Sequence, residues 1–523
     1  MKQSIKKINK QLVVFAVALL VIFPACELQE QPHSVFTPNN YYDNESSILT
    51  SLSGVYRDFA TLSSMGPSYR VLELTTDQVV VHAKIQGWWD GPDFHNLARH
   101  EWTPSHAWIG AFWDKLFGTV GQANALINSL SNSDLDGLEG PIAELRALRA
   151  YAYFYLMDLY GNVPIFTEPK VDPNNLPTQN TRTEVFNFVI EELSAAAEVL
   201  PSANDVGDEY YGRLTKEAVY ALMAITYLNA EVYTGEPQYD MAVEYADRVI
   251  NSGAYRLLDN YFANFSYDNA NNDEMIFGSV YTPNETGGIG HPFVLKVLPG
   301  IGGGLFGLPY TPQNGFGTRP SVVELYEDQD VRKNMFLGPG PLIDPRTGDT
   351  VMVERIVPDG NSTLYMPGES TEGPVPYKII KATGLRNQPM NAGIKWIKWG
   401  LDPNTNGGDA GNDIAWIRYA GILLVKAEAQ FRLGTGNPLA LVNRVRERSN
   451  ASLLSSLTLQ DLLDERGREL AFEMTRRRDL IRFGQFTSGS WEFKEPSEEY
   501  RRLFPIPTEA LDANRNLEQN PGY

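Results

Sequence analysis

The segment Ala143-Glu144-Leu145-Arg146-Ala147-Leu148-Arg149-Ala150-Tyr151-Ala152-Tyr153-Phe154, running on to Leu159-Tyr160-Gly161-Asn162-Val163-Pro164, decides the fold class. Leu145, Leu148, Ala152, Tyr155 and Leu159 recur at three- and four-residue steps, which lines one face of a helix. Pro141 suits a first helical turn, Gly161 supplies a left-handed stop, and Pro164 prevents continuation.

The same pattern returns downstream. Thr215 is a good N-cap for a helix carrying Ala218, Leu222, Ile225 and Leu228 and reaching toward Gly235. After a short turn, Tyr239, Ala242, Tyr245, Ala246 and Val249 line another helix, stopped at Gly253. Small residues at the contact between two such helices are the unit of a helical-repeat scaffold. Ala427 and Ala429, in a helix expected from Ile417 to Leu433, look alike. The period is irregular, so an unrelated helix bundle is the competing reading.

Residues 260–410 differ: Gly, Pro and Asn are dense and helical faces few. Short β-branched runs such as Thr350–Ile356 predict small strands. The chain therefore reads as mainly α, a helix-pair scaffold over 41–259 and 411–523 with a loop-rich subdomain over 260–410.

The N-terminus reads as an address. Lys2, Lys6, Lys7 and Lys10 precede an apolar run, Leu12–Phe23, too short to cross a bilayer. It ends at Cys26, the chain's sole cysteine, in a pattern resembling a lipoprotein signal whose Cys is acylated. Plain secretion with a spare thiol is the alternative. Residues 27–40, polar and containing Pro32 and Pro38, read as a flexible tether.

Among 523 residues, 43% are hydrophobic and 21% charged, the balance of a globular protein. A net charge of -20 repels phosphate backbones and so disfavours nucleic acid as a partner.

Residues 77–113 carry the densest binding chemistry. Five of the nine tryptophans, Trp88, Trp89, Trp102, Trp108 and Trp113, fall here. A flat indole covers the C–H face of a sugar, while carboxylates, amides and guanidinium groups address the hydroxyl rim. Trp88-Trp89-Asp90 lies between turn signals, so Trp88 and Trp89 are the expected ligand contacts with Asp90 beside them, and since adjacent residues on an extended loop point in different directions, only one of the two tryptophans is expected to stack on ligand. Trp102, Trp108 and Trp113, near or within a helix, read as core. Asp77 and Arg70 rank second; Tyr281, Asn284, Asn391 and Trp396 rank third. His82, His95, His100 and His106 crowd the same region, but their spacings share no helical face and no Glu-x-x-His pattern accompanies them. No metal and no cofactor are expected. Gly302-x-Gly304-x-x-Gly307 matches a dinucleotide fingerprint in letters only, lacking a clear strand before and helix after. Glu465, Arg466, Arg468, Glu469 and Glu473 could suggest paired carboxylates for glycoside hydrolysis, but the arginines hold acids ionised, and an ion-paired helix is the better reading. Thr458 with Asp461 resembles a capping box at its start.

Together, five blocks resemble the SusD/RagB family. They are the 143–164 segment; Gly212-Arg213-Leu214-Thr215-Lys216-Glu217-Ala218; Asn412-Asp413 through Arg418-Tyr419 to Lys426-Ala427-Glu428-Ala429; Glu465–Glu473 with Arg478-Asp479-Leu480; and Leu503-Phe504-Pro505-Ile506-Pro507 to Asn520-Pro521-Gly522-Tyr523. They keep family order, and the central loops match least. The resemblance implies helix pairs of tetratricopeptide type. It also implies an outward-facing, lipid-anchored outer-membrane glycan-binding protein for nutrient uptake, and a SusC-like TonB-dependent transporter as partner. A Gly-Asp-Trp-type loop near the glycan site of such proteins loosely matches Gly87-Trp88-Trp89-Asp90. The function expected is capture of oligo- or polysaccharide without catalysis. The absence of a dense Arg/Lys cluster beside the tryptophans favours a neutral glucan or fructan. The alternatives are a secreted glycoside hydrolase and a peptide- or protein-binding scaffold of the same fold.

Overall fold

The computed structural model describes residues 44–84, 88, 91–283, 290–299, 305–354, 374–405 and 408–523. Cys26, the signal and tether, Trp89, Asp90, Asn284 and most of the 302–307 glycine run lie outside the described residues.

Among the described residues, the longer helices of the frame are α1 (Glu45–Ala60), α2 (Pro67–Glu73), α3 (Pro92–Arg99), α4 (Ala107–Ser131), α5 (Glu139–Tyr160), α6 (Arg182–Val199), α7 (Lys216–Leu228), α8 (Tyr239–Asn251), α9 (Tyr419–Leu433), α10 (Pro438–Arg448), α11 (Leu459–Glu469) and α12 (Arg476–Arg482). They pack in sequence, α4 on α5, α5 on α6, α6 on α7, α7 on α8, α8 on α9 and α9 on α10. The protein is mainly α, with the helix-pair scaffold of tetratricopeptide type expected from the sequence.

Helix α5 is the spine. Pro141 sits in its first turn, and Gly161, at φ 76°, closes it. Leu145, Leu148, Ala152, Tyr155 and Leu159 are all buried, but so are Arg149, Tyr151, Tyr153 and Phe154. The stripe read from the sequence is only part of a helix enclosed by α1, α4 and α6. The buried Arg149 is neutralised by Glu192 and donates to Asn124 at 2.7 Å.

Two boundaries differ from the sequence expectation. The helix begun at Thr215, whose hydroxyl accepts from the Ala218 amide, breaks at Asn229, with a short helix Ala230–Thr234 before Gly235. The Asn229 amide turns back onto the Ile225 carbonyl at 2.8 Å and its oxygen accepts from Arg482, so the side chain competes with helix propagation. Ile417 belongs to a strand, Ile414–Arg418, paired antiparallel with Met275–Ser279, and α9 starts only at Tyr419.

The remaining strands are short pairs. Val79–Val81 pairs with Phe316–Thr318, and Met352–Glu354 with Pro374–Pro376. A second small core of Val294, Leu298, Phe306, Leu308, Leu337, Leu342, Val351, Tyr377 and Ile379 lies within the loop-rich part. That cluster gives the Gly- and Pro-rich segments an interior apart from the helical one.

Candidate functional site

Helix α2, the N-terminal turn of α4, helix α3 and the strand at Phe316 meet at an aromatic shelf. The Arg70 guanidinium from α2 lies over the Trp108 ring at 4.5 Å and over Phe94 at 5.4 Å. Phe94 in turn meets Trp108 edge-on at 4.4 Å. Trp88 extends the group, edge-to-face with Phe94 at 6.1 Å and Phe316 at 6.0 Å. The local folding explains the arrangement. Pro92 pre-sets the first turn of α3. His100, at φ 61°, ends that helix in a left-handed cap, and the chain then turns back so that α4 carries Trp108 beneath Arg70.

Two polar atoms on this shelf lack partners among the described residues. They are Nε of Arg70 and the indole N–H of Trp88, both shielded from solvent. Burial lowers the Arg70 pKa. Lys296, on the short helix Phe293–Val297, donates to the Met65 carbonyl at 3.3 Å. Burial and the neighbouring Arg70 charge push its pKa down to about 8, against the opposing pull of Asp409. A buried donor without an acceptor costs about 1–3 kcal/mol. A hydroxyl-rich ligand would supply acceptors.

The other sequence candidates scatter. Trp88 is half-buried, with its ring against Gly315, where an added Cβ would come within 2.7 Å of the indole. One side of Trp88 is thus closed by packing. Asp77 is held bidentately by Arg476 at 2.9 and 2.7 Å, which takes up much of its accepting capacity; it is an ion-pair member, not a free acceptor for sugar hydroxyls. Tyr281 is 4% exposed, with its hydroxyl shared between Ser63 and the Ala60 carbonyl, and Trp396 is 2% exposed and stacked on Phe472 at 4.3 Å. Both are interior residues, which corrects their reading as ligand contacts. Asn391 donates to the Lys378 carbonyl at 2.7 Å.

Among the tryptophans read as core, Trp102 and Trp113 are indeed buried, at 1% and 5% exposure. Trp108 is only half-buried, under Arg70. Sequence reasoning thus missed Trp108 as a shelf residue, and Lys296 as well. The available signals were a Trp in a first helical turn rather than mid-helix, and a lone Lys inside the apolar run Phe293–Val297.

The four clustered histidines go separate ways. His82 Nδ1 meets the Gly384 carbonyl, His100 bridges Thr75 and Ser497, His106 contacts the Asp93 carbonyl, and Arg386 donates to His95. Among the described residues, no group of three or more His, Cys, Asp or Glu is placed to hold a metal ion.

The acids that suggest hydrolysis are locked in a buried ion network. Arg418 bonds Glu473 at 2.8 Å, Glu469 at 3.0 Å and Glu274 at 2.6 Å. Arg332 bonds Glu465 at 2.7 Å and Glu469 at 3.0 Å, Arg446 bonds Glu465 at 2.8 Å, and Lys398 bonds Glu473 at 2.5 Å. Burial alone would raise the Glu465 and Glu469 pKa values. The surrounding arginines outweigh it and hold both at about 2. The Thr458–Asp461 capping box is present at the start of α11. The ion-paired helix expected from the sequence is therefore an interior clasp between α10, α11 and the Ile414–Arg418 strand.

Comparison with known proteins follows the same lines. A model described as "Starch-binding associating with outer membrane" matches residues 38–228, and one described as "SusD family" matches 310–523. The starch-binding protein SusD of Bacteroides thetaiotaomicron is 30% identical over 492 residues, spanning 86% of this chain and 84% of that protein. Surface glycan-binding protein A of the same species, solved in complex with laminarihexaose, superposes with a TM-score of 0.71 at 21% identity, over 91% of this chain and 99% of the other. A laminarin-binding SusD-like protein superposes at 0.68 and 23% identity, over 92% and 100%. With helical scaffold, motif order and a relative at this identity in agreement, the chain belongs to the SusD/RagB family.

Proposed function

We propose that this protein captures oligo- or polysaccharide at the bacterial outer surface, performs no catalysis, and hands the glycan to a SusC-like TonB-dependent transporter. The observation that carries the capture reading is the Arg70 guanidinium over the half-buried Trp108 ring, beside unpartnered donors on Arg70 and Trp88. Aromatic faces match sugar C–H faces, and the cationic donors suit the hydroxyl rim. Family membership supports it, since relatives include a starch-binding protein and a structure holding laminarihexaose. Trp89, Asp90 and Asn284, outside the described residues, stay proposed ligand contacts. The lone cysteine Cys26 is the proposed lipid anchor, with 27–40 as tether. The domain division remains 41–259 with 411–523 for the scaffold and 260–410 for the loop-rich part.

The hydrolase alternative asks for two carboxylates free to exchange protons. Glu465, Glu469 and Glu473, which suggested it, are tied up by guanidinium and ammonium groups. Electrophoretic retardation of the purified protein in gels cast with neutral glucans or fructans tests capture. Slowed migration supports it, and unaltered migration in every polymer refutes it. A reducing-sugar assay on the same polymers addresses catalysis, and steady product release would overturn the non-enzyme reading.

A further inference from the structure

A cleft of about 650 Å³ opens on the side of the scaffold where α6, α9 and α12 meet the C-terminal segment. It shares no lining residue with the Arg70–Trp108 shelf. Its walls carry four guanidinium groups, from Arg182, Arg432, Arg482 and Arg502, against two carboxylates, Glu231 and Glu499. On a chain of net charge -20 this is a local reversal of sign.

The neutralisation within this group is incomplete. Arg182 donates its three side-chain hydrogen bonds to backbone carbonyls, those of Met157, Val232 and Asp158, rather than to a carboxylate, and lies over the Tyr233 ring at 4.8 Å. Arg432 and Arg482 share Glu428, Arg482 also pairs with Asp479 at 2.8 Å, and Nη2 of Arg432 has no partner among the described residues. Beneath the wall, Arg477 is 1% exposed and leaves both Nε and Nη1 unpartnered, its Nη2 donating to the Arg502 carbonyl at 2.8 Å. Burial lowers the pKa values of both Arg182 and Arg477; the neighbouring Asp158 carboxylate opposes that in each, and a smaller repulsion from Arg502 on Arg182 and from Arg182 on Arg477 adds to it. The acids are partly committed. Glu231 accepts from the Tyr239 hydroxyl, while Glu499 accepts from Thr487 at 2.6 Å and pairs with Arg502 at 2.8 Å. Tyr500 and Asn520, also on the wall, offer a ring and an amide.

We propose that this cleft is a second ligand site, taking an anionic group, a carboxylate or sulfate, carried by an acidic saccharide. A planar fork of guanidinium donors suits both anions. The volume is in the range of small-molecule sites. The Tyr500 ring and Asn520 amide suit a sugar attached to the anion. The inference does not rest on glycan capture at the Arg70 shelf.

Calorimetric titration at low ionic strength tests it, with digalacturonate, inorganic sulfate and the neutral disaccharide cellobiose as probes. Digalacturonate should bind, and its affinity should fall with added salt. The variant Arg502→Glu, at a half-exposed position, should weaken it by about tenfold or more, whereas Arg256→Ala, at an exposed position outside both the cleft and the shelf, should leave it unchanged. If Arg502→Glu fails to fold, Arg502→Gln should weaken binding in the same direction. Binding of sulfate alone, equal binding of cellobiose, no binding of digalacturonate, or full affinity in a folded Arg502 variant would each overturn the proposal.

Discussion

The Arg70 guanidinium rests 4.5 Å from the centroid of the Trp108 ring, and its Nε has no hydrogen-bond partner among the described residues. It is a cation stacked on a half-buried indole, with no ion-paired carboxylate among the described residues. The arginines of the buried clasp, Arg332, Arg418, Arg446 and Arg448, each reach at least one acid instead. The glycan reading rests on the unpartnered donor lying beside a half-buried aromatic face. Arg70→Ala should therefore reduce glycan affinity by about 1–3 kcal/mol, with little change in thermal stability. Titration calorimetry beside a melting curve checks both; an unchanged affinity would remove Arg70 from the site.

Gly315 offers a subtler test. An alanine Cβ there would lie within 2.7 Å of the Trp88 indole, a ring that cannot bend away as a flexible chain end can. Gly315→Ala should displace Trp88 and weaken glycan binding in step with Trp88→Ala, which should cost about 1–3 kcal/mol. Tryptophan fluorescence should report the displacement. Normal emission together with normal binding would mean that Trp88 does not shape the site.

Lys296 gives the site a pH dependence. Its pKa is pushed down to about 8, so its ammonium is lost as pH rises through that value. If it donates to ligand, glycan affinity should decline between pH 7 and 9, and Lys296→Met should flatten that profile. The same decline in the variant would assign the effect to another group.

The interior clasp makes its own prediction. Glu465 and Glu469 are held at about 2, below the ordinary glutamate value of about 4.5 expected in the unfolded chain. A depressed acid stabilises the fold above the unfolded pKa and loses that contribution as pH falls through the folded one. Stability should thus drop between about pH 4.5 and 2. Glu469→Gln, which leaves Arg418 and Arg448 short of a buried counter-charge, should cost about 3–5 kcal/mol at neutral pH and shrink the acid-dependent drop. Denaturant melts across that pH range check both parts.

How far the sequence could be read depended on the range of the forces involved. Helix α5 was legible because its signals are local: periodic apolar residues, Gly161 at positive φ, and Pro164 beyond. So was the Thr458–Asp461 cap, three residues apart. Trp396 and Tyr281 were misread because their burial comes from partners far along the chain, Phe472 for one and Ser63 for the other. An aromatic between Gly- and Asn-rich stretches looks exposed until the main core is seen to reach into those loops, and Tyr281 and Trp396 both belong to that core. The ion pair of Asp77, a second-rank candidate, was hidden for the same reason, since Arg476 arrives from the opposite end of the sequence. Trp108 shows the converse: its helical setting suggested core, yet α2 places a guanidinium, not an aliphatic side chain, over its ring.

Calorimetric titration of the intact protein with neutral glucan and fructan oligosaccharides, run in parallel on Arg70→Ala and Trp108→Ala, tests the capture account most directly. The account predicts measurable binding of at least one oligosaccharide by the parent chain and a clear loss of affinity in both variants. Absence of binding to every oligosaccharide, or equal affinity in the parent and both variants, would contradict it.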